Sequence, residues 1–120
     1  MIKICQNAIT AIQTDHGESI KELVSPLSKN STKDISIAIC EIRPQCASLK
    51  HYHPIVEETY HITEGTAKII IDNQEALLAK GDTVVIPPNA SHQIFNTGTL
   101  PLKFMVICAP AWTPDCSVFT

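Results

Sequence analysis

An all-β barrel or sandwich is predicted by three features of the sequence. Short β-branched runs recur about every 8–12 residues. Turn residues separate them: Asp15-His16-Gly17, Glu64-Gly65, Asp72-Asn73, Gly81-Asp82 and Thr97-Gly98. The one helix signal, Ser19-x-x-Glu22, is stopped by Ser25-Pro26 within a turn and a half.

The elements follow in order. Asn7–Gln13 is apolar enough for a short strand. Ser19–Val24 reads as another, and Ser28–Lys33 is a polar loop. Ile35–Ile42 carries isoleucine at 35, 37 and 39, the period of a half-buried strand. Pro44-Gln45 interrupts, and Ser48–His53 resumes extended structure. Thr59–Thr63 is the next strand. Ala67–Ile71 is apolar at both parities, as an inner strand should be. Ala76–Ala79 and Thr83–Ile86 follow, then a rigid corner at Pro87-Pro88-Asn89. His92–Asn96 and Leu102–Cys108 close the set, and Ala109–Thr120 forms a tail with two prolines and Trp112.

Length and composition narrow the function. The 120 residues fit one domain. The net charge is −3 and no Lys/Arg stripe occurs, which argues against nucleic acid as a partner. No apolar run reaches the roughly 18 residues of a membrane span, and Met1–Asn7 lacks the apolar core of a signal peptide. A cytoplasmic location is expected. The five cysteines (Cys5, Cys40, Cys46, Cys108 and Cys116) are odd in number and form no Cys-x-x-Cys. They read as reduced thiols, some packed as small core residues.

The chemistry concentrates between His51 and Gly65. His51 and His53 are two apart on extended chain, so they project from one face. Glu57 and Glu58 compete for the next ligand position. Tyr60 and Ile62 share parity with Glu58, so Glu58 faces the interior and Glu57 and His61 face out. Positions 53 and 58 differ by an odd number, so one regular strand could not aim both inward. Pro54 supplies the break that resets the parity. The fourth candidate is His92, which opens the strand after the Pro-Pro corner. Three imidazoles and one carboxylate suit one divalent transition metal (Mn, Fe, Ni, Cu or Zn) and leave positions open for water or substrate. Tyr60 should point inward beside this centre, either as a hydrogen-bond donor and acid or as packing. Asn96 either lines the barrel or caps the turn at Thr97-Gly98. The expected lining lacks a Lys/Arg cluster, which weakens a phosphorylated substrate.

With these residues in place, the chain resembles small single-domain members of the cupin superfamily. The first motif of that family (Gly, five residues, His-x-His, three or four residues, Glu, six residues, Gly) is met by His51, His53, Glu58 and Gly65. The second (Gly, five residues, Pro-x-Gly, two residues, His, three residues, Asn) is met by Gly81, Pro87, His92 and Asn96. Gln45 and Asn89 stand where the motifs have glycine; Asn tolerates the left-handed conformation better than most residues. The resemblance implies a double-stranded β-helix, or jelly-roll, barrel with its core at residues 35–108, and a metal set of His51, His53, Glu58 and His92. It implies residues 1–30 as N-terminal strands that make homodimer contacts, with 109–120 as a tail. Family activities include dioxygenases, lyases, decarboxylases, isomerases, epimerases, cyclases and non-catalytic binding proteins. The expectation is a metalloenzyme of dioxygenase, lyase or isomerase type acting on a small organic molecule. The alternative is a non-catalytic binding or sensor protein that uses the metal as an anchor.

Overall fold

In the computed structural model, which describes residues 1–120, eleven strands form two antiparallel sheets. They are β1 (Ile12–Gln13), β2 (Glu18–Val24), β3 (Ser36–Ile42), β4 (His51–Tyr52), β5 (Glu57–Glu64), β6 (Thr66–Ile71), β7 (Gln74–Ala79), β8 (Thr83–Ile86), β9 (His92–Asn96), β10 (Leu102–Ala109) and β11 (Val118–Phe119). One sheet runs β1-β2-β3-β10-β5-β8 and the other β11-β4-β9-β6-β7. Two facing sheets with this crossing connectivity are a jelly roll, the barrel the sequence led us to expect. No helix is long and apolar enough to cross a membrane.

Strand register carries the interior from an apolar floor to a polar end. Along β10, the inward residues are Leu102, Phe104, Val106 and Cys108. Leu102 pairs with Ile42, and Phe104 lies between Cys40 and Ile62. Val106 lies between Ala38 and Tyr60, and Cys108 between Ser36 and Glu58. Each two-residue step thus replaces aliphatic neighbours with smaller or more polar ones. The opposite sheet contributes Ile69 and Ile94 as cross-strand partners, then His92 opposite His51.

Two local expectations need correction, and the structure settles the facing of a third strand. Asn7–Gln13 is not one strand: Gln6–Ala8 forms a single 3-10 turn, and only Ile12–Gln13 pairs, with β2. Ser48–His53 contains only the two strand residues of β4. In β3 the isoleucine parity faces outward, and Ser36, Ala38, Cys40 and Ile42 face in. The physical reason is volume. Ser36, Ala38 and Cys40 line a cavity, and isoleucines there would fill it. Flanked by β2 and β10, the outward Ile37 and Ile39 are still half-buried.

Gly65 and Asn96 show why the turns hold. Gly65 has φ +89, and a Cβ there would sit 3.1 Å from the Pro101 carbonyl and 3.2 Å from Leu102 Cα. Buried Asn96 caps rather than lines. Its Nδ2 donates to the carbonyls of Ile42 and Leu100, each at 2.9 Å, and its Oδ1 accepts from the Gly98 N–H at 2.9 Å. Asn96→Ala strands these groups, so a loss of about 2–4 kcal/mol is expected in denaturant unfolding. A change below about 0.5 kcal/mol would show that water replaces the amide.

Candidate metal centre

His51 and His92 reach the centre from paired strands of one sheet, while Glu58 reaches it from the other. His53 follows β4 directly, and a bend at Pro54-Ile55 separates it from β5. Within β5 the burial alternates: Glu57 is exposed, Glu58, Tyr60 and Ile62 are buried, and His61 is half-buried. The break thus falls between two segments of opposite parity. His61 turns its Nδ1 to the Thr83 hydroxyl at 2.8 Å, away from the interior.

One ligand-type atom from each of His51, His53, Glu58 and His92 lies within 4.8 Å of the others. His53, Glu58 and His92 are 3%, 4% and 1% exposed. Glu58 Oε1 is 3.4 Å from His53 Nε2 and 2.8 Å from His92 Nε2. None of these three buried atoms has a partner in hydrogen-bonding geometry. Buried polar atoms left this way are costly without a further group between them.

The opposite ring edges explain how the imidazoles are held. Each Nδ1 meets a backbone carbonyl: His51 that of Leu49 at 2.8 Å, His92 that of Ala90 at 2.9 Å and His53 that of Cys116 at 3.1 Å. A carbonyl can only accept, so each Nδ1 carries the proton. With Nδ1 committed to a carbonyl, Nε2 is the ring nitrogen of each histidine left to face a metal, as in metal-binding histidines. Glu58 is held too: the Cys108 thiol donates to its Oε2 across 3.5 Å.

The charges are coupled. Burial pulls His53 down, but the adjacent Glu58 carboxylate outweighs it and raises the imidazole to about 9. Burial pushes Glu58 up, yet His53 and His92 hold it far below the usual carboxylate range. In metal-free protein a proton on His53 Nε2 can thus partly balance the carboxylate. The His53 contribution is complete below its unfolded value near 6.5 and is lost as pH rises through about 9. The Glu58 contribution has the opposite sign: it is present above about 4.5 and is lost as pH falls. Chelator-treated protein should therefore be most stable between about pH 4.5 and 6.5 and lose stability between 6.5 and 9. Thermal unfolding across this range checks it; a melting temperature that rises from pH 6.5 to 9 would contradict the pairing.

Beside the centre is a cavity of about 200 Å³ with a mainly apolar lining that includes Phe104, Val106 and Trp112. Tyr60 lines it, with its ring 5.9 Å from that of His92. Burial, and then the nearby Glu58, push the Tyr60 phenol well above its ordinary value, so it is a neutral hydroxyl and not a phenolate base. Sequence reasoning missed two acids in the same lining, Glu18 and Glu22. The signal existed: they share parity with Ile20 on β2. The tail was also unassigned. Phe119 of β11 lies 5.7 Å from the His51 ring, and Ser117 Oγ lies 3.2 Å from His53 Nδ1.

Known proteins share this arrangement of strands. Residues 38–108 match the family model described as a cupin domain. The uncharacterized protein MJ1618 of Methanocaldococcus jannaschii is 33% identical over 116 residues, covering 96% of this chain and 91% of that protein. Oxalate decarboxylase of Lactobacillus farciminis, solved as a formate complex, superposes with a TM-score of 0.81 at 27% identity. That match covers 94% of this chain but only 34% of the decarboxylase. The polyketide cyclase RemF of Streptomyces resistomycificus superposes with a TM-score of 0.81 over 100% of this chain and 87% of its own, at 15% identity, a likeness of fold.

Proposed function

The chain belongs to the cupin family, and from that premise we propose a metal-dependent enzyme that acts on a small organic molecule in the cavity. His51, His53, Glu58 and His92 are the proposed ligands of one divalent transition metal. The observation that carries this reading is the convergence of unpartnered His53 Nε2, His92 Nε2 and Glu58 Oε1 behind rings fixed at Nδ1. When bound, such a metal binds and polarises substrate oxygen.

The chain's own groups complete the site. Phe104, Val106 and Trp112 exclude water from the cavity wall. Tyr60 offers a neutral hydroxyl for donation toward substrate. Glu18 is a candidate proton acceptor; burial raises its carboxyl above the usual value and His16 Nε2, 3.1 Å away, partly offsets that. These groups weaken the alternative of a purely non-catalytic binder. Among dioxygenase, lyase and isomerase chemistry, the resemblance to a decarboxylase favours the lyase type.

The same reading takes residues 1–120 as one domain working as a cytoplasmic homodimer. Ile2 and Ile12, both exposed, are its proposed contact material. Five free thiols fit a reducing compartment.

The test is metal-loaded protein incubated with a panel of small hydroxy, keto and carboxylic compounds, with products followed by NMR. Turnover that needs metal and disappears in Glu58→Gln supports an enzyme. Stoichiometric metal without turnover of any panel member moves the reading to the non-catalytic alternative.

A further inference from the structure

The cavity has a second polar wall opposite in kind to the metal-binding one. It is built by β2, whose inward parity reads Glu18, Ile20, Glu22. Two carboxylates at inward positions are unusual, because an unpaired buried carboxylate is costly. Glu18 is partly satisfied: its Oε1 lies 3.1 Å from His16 Nε2. Glu22 is not, since its Oε1 is buried and makes no hydrogen bond.

The register relates this wall to the centre. Glu22 pairs with Ala38, Ala38 with Val106, and Val106 with Tyr60. That is one row across three strand spacings, roughly 14 Å along the sheet at about 4.8 Å each. Glu22 and Tyr60 project from its two ends into the same cavity. The acids do not stand alone as evidence for a ligand. His53 and Glu58, both more than nine-tenths buried and each with an unpartnered polar atom, line the same cavity. No Lys or Arg lines it, and three glutamates do.

Resting on the metal-site reading above, we propose that Glu22, with Glu18, reads a hydrogen-bond donor on the substrate. The substrate class is a small molecule with a metal-binding oxygen at one end and a hydroxyl or ammonium group at the other, not a dicarboxylate. A carboxylate tail would meet like charge in a mainly apolar cavity with no Lys or Arg beside it. A hydroxyl or ammonium tail would satisfy Glu22 Oε1. Here the chain parts from oxalate decarboxylase, whose substrate is a dianion.

Chain-length-matched hydroxamic acids test this, because the hydroxamate head binds divalent metals. Two series of three to six carbons, one ending in an amine and one in a carboxylate, are titrated calorimetrically into zinc-loaded protein. The best amine-tailed member should bind at least tenfold more tightly than its carboxylate-tailed counterpart. Glu22→Gln should reduce that ratio about tenfold, with Glu18→Gln adding to it, while the affinity of unsubstituted acetohydroxamic acid stays unchanged. Equal binding of both series, or a ratio unmoved by Glu22→Gln, overturns the inference and leaves the metal site intact. Failure to take up zinc, with no binding of acetohydroxamic acid, is a different result: it removes the metal-site reading and this inference with it.

Discussion

Loading the protein with one equivalent of a suitable divalent transition metal raises its melting temperature by roughly 15 °C. The size follows from linkage: a ligand at about a thousand times its Kd stabilises the fold by about 4 kcal/mol. Unfolding entropy of about 2.1 cal/mol/K per residue over the 120 residues converts this to about 16 °C. The source is the set of buried atoms that make no hydrogen bond, His53 Nε2, His92 Nε2 and Glu58 Oε1. Glu58→Gln keeps the shape and removes the charge, and His92→Ala removes a ligand. Disturbing a group behind a metal ligand costs about 10–100-fold in affinity, so loss of a ligand should reach at least the upper end. Both variants should lose most of the shift in scanning calorimetry and retain less than stoichiometric metal. A full shift in Glu58→Gln would place the binding site elsewhere.

Phe104→Ala destabilises the protein by about 3–5 kcal/mol, the range for deleting a buried aromatic ring. Phe104 is 1% exposed and its ring lies 4.9 Å from that of Tyr60. It is paired with both Cys40 and Ile62, so its ring closes the apolar floor from the middle of the six-stranded sheet. It also lines the cavity, so its loss should widen the space under Tyr60. Val85→Ala, at a position 56% exposed, is the control and should stay within about 0.5 kcal/mol. Urea midpoints compare the two. A Phe104→Ala loss below about 1 kcal/mol would mean that the barrel collapses around the vacancy.

What the sequence showed and what it hid have separate physical causes. Parity separated Glu58 from Glu57 because β5 is long and one face is buried throughout. Pro54 was legible because proline cannot continue a ladder. The two-residue strands β1 and β11 were not legible, since a run that short has no period to read. Glu18 and Glu22 were hidden for a different reason. A polar residue at an inward position looks like an outward one, and Ser19-x-x-Glu22 also suggested a helix cap. The isoleucines of β3 marked a half-buried strand, but not its inward face, because the cavity needs small side chains there. The carbonyls that fix the imidazoles carry no side-chain signature. Those of Leu49 and Ala90 sit two residues before their histidines, while that of Cys116 is 63 residues away in sequence.

Gln45 and Asn89 stand where the family motifs quoted above have glycine, and their φ angles are +64 and +68. Both hold the left-handed conformation that glycine would adopt most easily. The motif glycine therefore specifies a torsion angle, and a side chain can meet that specification at an energetic penalty. Two left-handed turns are thus built without glycine, in a chain that superposes with a TM-score of 0.81 on a protein sharing 27% of its residues.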